Sequence, residues 1–520
     1  AETVASAPRG ERFSWLTRMD FNGDVVSPLR WSLRDGKFAI ARFIIKDMLA
    51  IRADRRLYYY GRHVLFSTHP NLVEVLCRNG GLMLETLFDG LLWHSALVHQ
   101  GAVKVNYYIR ELYGEPDEYA DAWKSPLALL ESKVTNPEYF NHPAIDQLTI
   151  AKWSRFGWRY FLIQQAWFCM ILTLYEIGNI AYQTECGVLG LRICAGCIAT
   201  GTALVILFFL YHQIRIGQVD KYRTKTPFGT IHWHRPKWLS SGYNVQRFLA
   251  VCMLPLTSFL EPCAVEIGLQ PRGDPEAVDL ARRTLTSFTI MLLWMQLIQL
   301  FVFSTRLGAL TYDISNIFMV LSRNLLIIFI WTVAFASALR ALDDFDSLSD
   351  GLEALGREVL GRDKWDLSYM TTLGTLFMCL FSILISLGML NLLMAQIWDS
   401  YYNIALHAPG LAKKHRSRII VDIESMMPNT YRKHFYEEWK FDDHLPFDQG
   451  DMGPSGGIQR RHAATIRMHP KYIPDRVQRF TEKDSAQLDA WPPDASVYEA
   501  NDEDIRKVQL EAKEHRHLND

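Results

Sequence analysis

Charge of one sign is what this chain lacks. Lysine and arginine total 55 against 56 aspartates and glutamates, a formal net charge of −1 over 520 residues. That balance excludes the global basic bias of a nucleic-acid binder. Cysteine is sparse, at eight residues, and Cys169, Cys194, Cys197, Cys252 and Cys379 fall within apolar runs. Cys194 and Cys197 have the spacing of a thioredoxin or zinc pair, but no second pair or matching histidine follows. They read as small buried thiols rather than metal ligands. No nucleophile triad, phosphate loop or metal-ligand set stands out, so neither an enzyme nor a cofactor is expected. A six-span haem oxidoreductase needs paired histidines within its spans, and only His212 comes near, at a helix end. No basic-then-apolar secretory segment follows Ala1, which fits a trimmed start or a piece of a longer chain.

Charge of either sign is missing from residues 373–397, a stretch of 25, where ~20 apolar residues suffice to cross a bilayer. Five more apolar stretches precede it, at 160–182, 189–214, 247–267 (interrupted by Pro255 and Pro262), 285–303 and 318–342. The whole-chain mean hydropathy of −0.02 hides them because both flanks are polar. The expectation is an all-α, multi-pass integral membrane protein with six transmembrane helices and both termini on one side. Residues 183–191 hold no Lys or Arg, whereas Arg215, Lys221, Arg223, Lys225, Arg235, Lys237 and Arg247 crowd the next loop. Lys152, Arg155 and Arg159 flank the first stretch. By the positive-inside rule these cations, and both termini, face the cytosol. The loop with Arg272, Arg282 and Arg283 fits less well, although Asp274, Glu276 and Asp279 accompany them.

Between the fifth and sixth stretches, 347–360 reads as an amphipathic helix too short to span, followed by a polar turn at Gly361-Arg362-Asp363. A short helix, a turn and a full span build a pore loop, which points to an ion channel. Permeant cations exchange water for backbone carbonyls and a carboxylate ring. Asp363 is the first candidate for that ring, with Glu358 and Asp366 nearby; the alternative is that Asp363 pairs with Arg362 or Lys364. Asp343, Asp344, Asp346 and Asp350 suit either an outer mouth or helix caps. Asn391, Met394 and Ile397 recur every three residues and form a candidate gate, unless that stripe packs on the fifth helix. Arg282 and Arg283 precede the fourth stretch and Arg306 follows it. Its interior carries no arginine, so strong voltage gating is not expected. Glu176, Asn179, Arg192 and Gln296 suggest a polar cluster among the first four helices, either a pocket or inter-helix glue.

The flanks carry weaker patterns. Ser27-Pro28-Leu29-Arg30-Trp31-Ser32-Leu33-Arg34-Asp35-Gly36 places Pro at a helix start and Gly at its end, as in an ankyrin unit. Similar phases recur near Val64, near Leu92 with Trp93-His94-Ser95-Ala96, and at Ser125-Pro126-Leu127, about one ankyrin period of ~33 residues apart. Either ankyrin-like helical hairpins or an irregular helical linker with coincidental spacing fits. After the sixth stretch, Lys413, Lys414, Arg416 and Arg418 are candidates for anionic headgroups, and 419–427 reads as a short helix stopped by Pro428. Residues 447–453 lack the ligand ladder of a calcium loop and read as a turn. Residues 502–517 read as a charged helix able to meet another subunit. The domains are therefore 1–145 (ankyrin-like region and linker), 146–308 (four-helix membrane domain), 309–405 (pore domain) and 406–520 (cytosolic tail).

Taken in order, Ser125-Pro126-Leu127-Ala128-Leu129-Leu130, His142-Pro143 and Lys152-Trp153-Ser154-Arg155-Phe156-Gly157 resemble the link from repeats to first span in transient receptor potential (TRP) channels, chiefly the vanilloid and ankyrin types. Residues 291–308 with Arg323-Asn324-Leu325-Leu326 are similar to that family's fourth helix, linker and fifth helix. Residues 348–361 resemble its pore helix. Gly388-Met389-Leu390-Asn391-Leu392-Leu393-Met394-Ala395 resembles its apolar-Asn-apolar signature. The resemblance covers about residues 20–405. It implies a homotetramer around one central pore, cation-permeable with calcium transport among its functions, in contact with membrane lipids. Protein partners would bind at the ankyrin-like region, and no nucleic acid is expected. Arg362 and Lys364 depart from the family's acidic filter, and the Trp-centred helix expected near Trp398 is not distinct. Alternatives are a polycystin-like or voltage-gated-like channel subunit, for which the short first loop argues against polycystins, and a non-conducting membrane scaffold.

Overall fold

The computed structural model describes residues 20–21, 24–25, 27–49, 52–54, 57–59, 61–79, 81–99, 102–178, 189–226, 229–259, 275–359, 371–443, 445–447 and 456–463. The chain divides into two compact units, Ala1–Ile298 with Lys413–Asp520, and Gln299–Ala412.

In the first unit, α1 (Pro28–Arg34) begins where Pro28 presets the backbone and the Ser27 hydroxyl accepts the Arg30 N–H at 3.1 Å. Gly36, at φ +69°, turns the chain into α2 (Phe38–Met48). Then come α3 (Arg62–Thr68), α4 (Leu72–Asn79) and α5 (Gly81–Asp89). Leu29, Ile45, Leu65, Leu76 and Leu87 are buried along these helices. Helix pairs therefore occupy the first two expected phases.

The third phase is different. Leu92, expected with Trp93-His94-Ser95-Ala96 to open a helical hairpin, lies in strand β1 (Leu92–His99), antiparallel to β2 (Ala102–Tyr107) with Leu92 opposite Tyr107. The physical reason is local: no Ser-Pro start precedes Leu92, and Val103, Val105 and Tyr107 alternate with the period of a strand. A third strand, Ile458–Ala463, arrives from the far end of the chain and pairs with β2, Tyr107 opposite Ile458. The protein is thus largely helical, with a few short antiparallel strands among the helices. Helices resume at α6 (Pro126–Lys133), capped by Ser125, and α7 (Pro143–Lys152), whose first turn is capped by His142 Nδ1 accepting the Ala144 N–H at 3.2 Å.

From α7 the chain passes through a π-helical turn, Trp153–Gly157, into α8 (Trp158–Glu176). Next is α9 (Leu189–Ile216), then a hairpin of β3 (Val219–Thr226) and β4 (Gly229–Pro236) that the sequence did not announce. The sequence-expected third and fourth stretches are α10 (Gly242–Phe259, with Pro255 inside) and α11 (Pro275–Gln296), which tightens into a 3-10 stretch at Leu297–Phe303. One apolar core joins Ile171, Leu172 and Tyr175 of α8, Ala199 of α9, Ala250 and Leu254 of α10 and Leu293 of α11. Ala195, Ala199 and Ala203 let α9 approach its neighbours closely. Its other side exposes Leu204, Val205, Phe208 and Tyr211, a surface suited to lipid.

The second unit opens with α12 (Thr305–Ala341), capped by Ser304, then the short α13 (Leu348–Val359) and α14 (Thr372–Ser382). A π-helical stretch, Ile383–Met389, leads into α15 (Leu390–Met426). The short helix expected at 419–427 is instead the end of this long one, which stops before Pro428 as expected. Back in the first unit, α16 (Asn429–Glu437) and β5 (Ile458–Ala463) complete the described chain. The turn expected at 447–453 and the helix expected at 502–517 lie, beyond Phe447, outside the described residues.

Among the described residues four helices are long and apolar enough to cross a membrane: Ile193–Ile216, Leu280–Phe303, Leu321–Ala341 and one within Thr372–Met426. The other two expected spans fall on α8 and α10, of 19 and 18 residues. At 1.5 Å per residue these are roughly 27–29 Å long, about the thickness of the hydrocarbon core. The Leu280–Phe303 helix starts earlier than expected, so Arg282 and Arg283 sit inside its first turn rather than before it.

Candidate functional site

The pore-like element lies wholly in the second unit. At 12 residues α13 extends about 18 Å, too short to cross. It is capped at Ser347, whose hydroxyl accepts the Asp350 N–H at 3.2 Å, so the serine rather than the neighbouring acids does the capping. Its buried Leu355, with Leu352 and Val359 beside it, packs on Phe335, Ala336 and Leu339 of α12 and on Met378 and Phe381 of α14. The opposite side carries an Arg357–Glu353 ion pair in solvent. Gly351 keeps this approach uncrowded, since a Cβ there would sit 3.2 Å from the Phe345 ring.

Acids around α13 have definite partners. Asp344 accepts the Thr371 N–H at 2.8 Å and its hydroxyl at 3.1 Å, tying the segment before α13 to the start of α14. Gly374 makes room, because a Cβ at that position would fall 1.9 Å from Asp344 Oδ2. Asp343 pairs with Arg340 at 3.1 Å. Of the expected filter residues, Glu358 ends α13 and accepts the Ser382 hydroxyl at 2.6 Å. Gly361, Arg362, Asp363 and Asp366 lie outside the described residues.

The expected gate stripe is on α15. Asn391 Nδ2 donates to Leu387 O at 2.9 Å, a carbonyl of the π-helical stretch just before it. Met394 is 66% exposed and Ile397 half-buried. Two positions from Met394, Gln396 accepts from the buried Asn324 of α12 at 2.5 Å. The Asn324–Gln396 bond marks the side of α15 that faces α12, so Met394 lies on the side away from it. In the sequence Asn324 enters only within a motif, and neither amide reads as a partner of the other.

Two members of the expected polar cluster have their side-chain partners in view. Glu176 accepts from Trp294 Nε1 at 3.0 Å, while the buried Gln296 donates to Tyr243 O at 3.5 Å. Arg192 falls in the first turn of α9, and Asn179 is outside the described residues.

A second polar assembly, missed entirely, gathers around the end of α15 within the first unit. The four cations expected at lipid headgroups meet protein instead. Lys413 pairs with Asp146 at 3.0 Å, and Lys414 Nζ donates to Val134 O at 2.7 Å. Arg416 stacks over Trp153. Arg418 binds Glu131 at 3.0 Å and the Ser240 hydroxyl at 2.6 Å, and lies over Trp123. Further along, Asn244 donates to Asp422 at 3.1 Å. Lys152 makes a buried ion pair with Glu424 at 2.7 Å, their side chains 2% and 6% exposed. Burial pulls the Lys152 ammonium below its usual range, an effect the Glu424 carboxylate opposes. His415 stacks on Tyr243. One helix end thus touches α6, α7, α10 and the segment before α10.

Comparison with protein-family profiles and with curated proteins finds no match to this chain. Among the described residues no group of three or more His, Cys, Asp or Glu is placed to hold a metal ion.

Proposed function

We propose that this protein is the subunit of a tetrameric, cation-permeable channel of TRP type, multi-pass in its membrane, with both termini cytosolic and without strong voltage gating. The observation that supports the reading best is the second unit: two helices long and apolar enough to cross, with an amphipathic helix too short to cross packed between them. A lone membrane scaffold has no use for that intermediate helix. In this reading Asp363 contributes the carboxylate ring, with Glu358 and Asp366 beside it, and Asn391, Met394 and Ile397 line the narrowing of the path. Calcium is among the permeant ions. An apolar ring at Met394 closes by excluding water.

Purified protein reconstituted in liposomes tests this by sodium, potassium and calcium flux. Met394→Asp is expected to raise basal flux several-fold at unchanged protein yield, because four carboxylates hold water in the constriction. Folded, inserted protein that passes none of the three ions overturns the channel reading. A silent but well-folded Met394→Asp variant moves the gate to Ile397.

A further inference from the structure

The basic segment after the sixth apolar stretch is folded into protein, which leaves a different part of the chain to meet lipid. The hairpin β3–β4 starts three residues after Ile216, the last residue of a helix long and apolar enough to cross a membrane. Its base is fixed. Gln218 N donates to Gln213 O at 2.9 Å, Lys237 N donates to Gln218 O at 3.1 Å, and Gln218 Nε2 donates to Asp121 at 2.8 Å. Trp238, just past β4, is buried against Phe209 of α9. The hairpin is therefore held at the end of α9, where headgroups of the adjoining leaflet lie.

Its pairing sorts the residues. Lys221 is opposite His234, Arg223 opposite His232 and Lys225 opposite Thr230. Residues two apart in a strand share a face, as do directly opposed residues. Lys221, Arg223 and Lys225 thus fall on one face with two histidines and no acid. The other face takes Tyr222 opposite Trp233, Thr224 opposite Ile231, and Asp220 opposite Arg235. Asp220 is the only acid in residues 215–247, against seven lysines and arginines. A cationic face backed by an aromatic one is the composition of a segment that lies at a membrane interface, where Tyr and Trp settle at headgroup level and Lys and Arg meet phosphate.

We infer that the β3–β4 hairpin is a docking surface for anionic phospholipid headgroups of the leaflet at the carboxy-terminal end of α9. The inference rests on α9 crossing a membrane, but not on conduction. The charge that draws a phosphate-bearing headgroup is that of Lys221, Arg223 and Lys225, which the register places on one face, and the hairpin's fixed base joins it to Asp121 and the segment ahead of α6.

Native mass spectrometry of the full chain, delipidated in detergent and titrated with phosphatidylserine or phosphatidylcholine, tests it. Wild type should prefer phosphatidylserine, and the triple variant Lys221→Gln, Arg223→Gln, Lys225→Gln should lose roughly 100-fold of that preference, the scale of three interfacial cations. A control that removes two cations elsewhere, Arg460→Gln with Arg461→Gln on β5, should keep most of it. Added salt should erase the wild-type preference. A triple variant that binds as wild type, or a preference unmoved by salt, overturns the inference. A wild type with no preference also overturns it and redirects the face toward an acidic protein segment. Flux from liposomes is read separately, and release of the chain from membranes by alkaline carbonate would show instead that α9 does not cross.

Discussion

His69 shows how a single ring can report on the amino-terminal helices. Its Nδ1 donates to Leu65 O at 3.2 Å, and its Nε2 is hydrogen-bonded to the Ser27 hydroxyl, the same oxygen that caps α1. A neutral imidazole, with one nitrogen donating and the other accepting, matches these two partners. Burial, with a smaller push from Arg30, holds the ring below its ordinary pKa of 6.5. The folded state then binds the proton less well than the unfolded chain does. The stability tied to His69 is complete above pH 6.5 and is lost as pH falls below it toward the folded value. Protection factors for hydrogen exchange across α1 and α3, corrected for the intrinsic rate at each pH, should therefore fall as pH is lowered below 6.5, and His69→Gln should flatten that dependence. An unaltered pH slope in the variant would assign it to another group.

At the scale of elements, the end of α15 is where several segments of the first unit meet, and the Lys152–Glu424 pair is its most buried charge contact. Breaking such a pair leaves one unpaired buried charge, at a cost of roughly 3–5 kcal/mol, while replacing both partners by apolar groups of similar size is near neutral. Glu424→Leu alone should lower the melting temperature of the purified protein by several degrees. Adding Lys152→Met should recover most of the loss, and failure of that recovery would show that Tyr113, 4.5 Å from the ammonium, or another neighbour holds the lysine independently. These same elements show what the sequence made legible. Ser27-Pro28 and Ser125-Pro126 were readable as helix starts because capping is local chemistry. The long uncharged stretches were readable because hydropathy is a sum over neighbours. Leu92 was misread because a short apolar run fits a helix or a strand alike until its partner across the turn, residues 102–107, is read with it. The cations at 413–418 were misread because a basic run looks the same whether lipid or folded protein receives it. The Asn324–Gln396 bond was hidden for a related reason: two amides declare themselves only once their helices are side by side.

For the whole molecule, the proposed channel reading carries an expectation about voltage. Voltage sensing needs cations spaced along a membrane helix, each moved through a share of the field. The Leu280–Phe303 helix holds Arg282 and Arg283 as neighbours at one end, with Arg306 beyond the other. Conductance in symmetrical solutions should then vary only weakly with voltage, and a steep curve requiring several gating charges per subunit would contradict the assignment. Assembly has its own timetable. Strand β2 has one partner in β1, immediately ahead of it, and another in β5. On a ribosome adding roughly 5–20 residues per second, the about 350 residues between these two partners of the second pairing take tens of seconds. Throughout that interval β2 offers an unpaired edge, the kind of surface that recruits chaperones or other chains. A nascent chain that stalls among its apolar helices keeps that edge open, so closure of the edge by β5 reports that the helices between the two strands have been made.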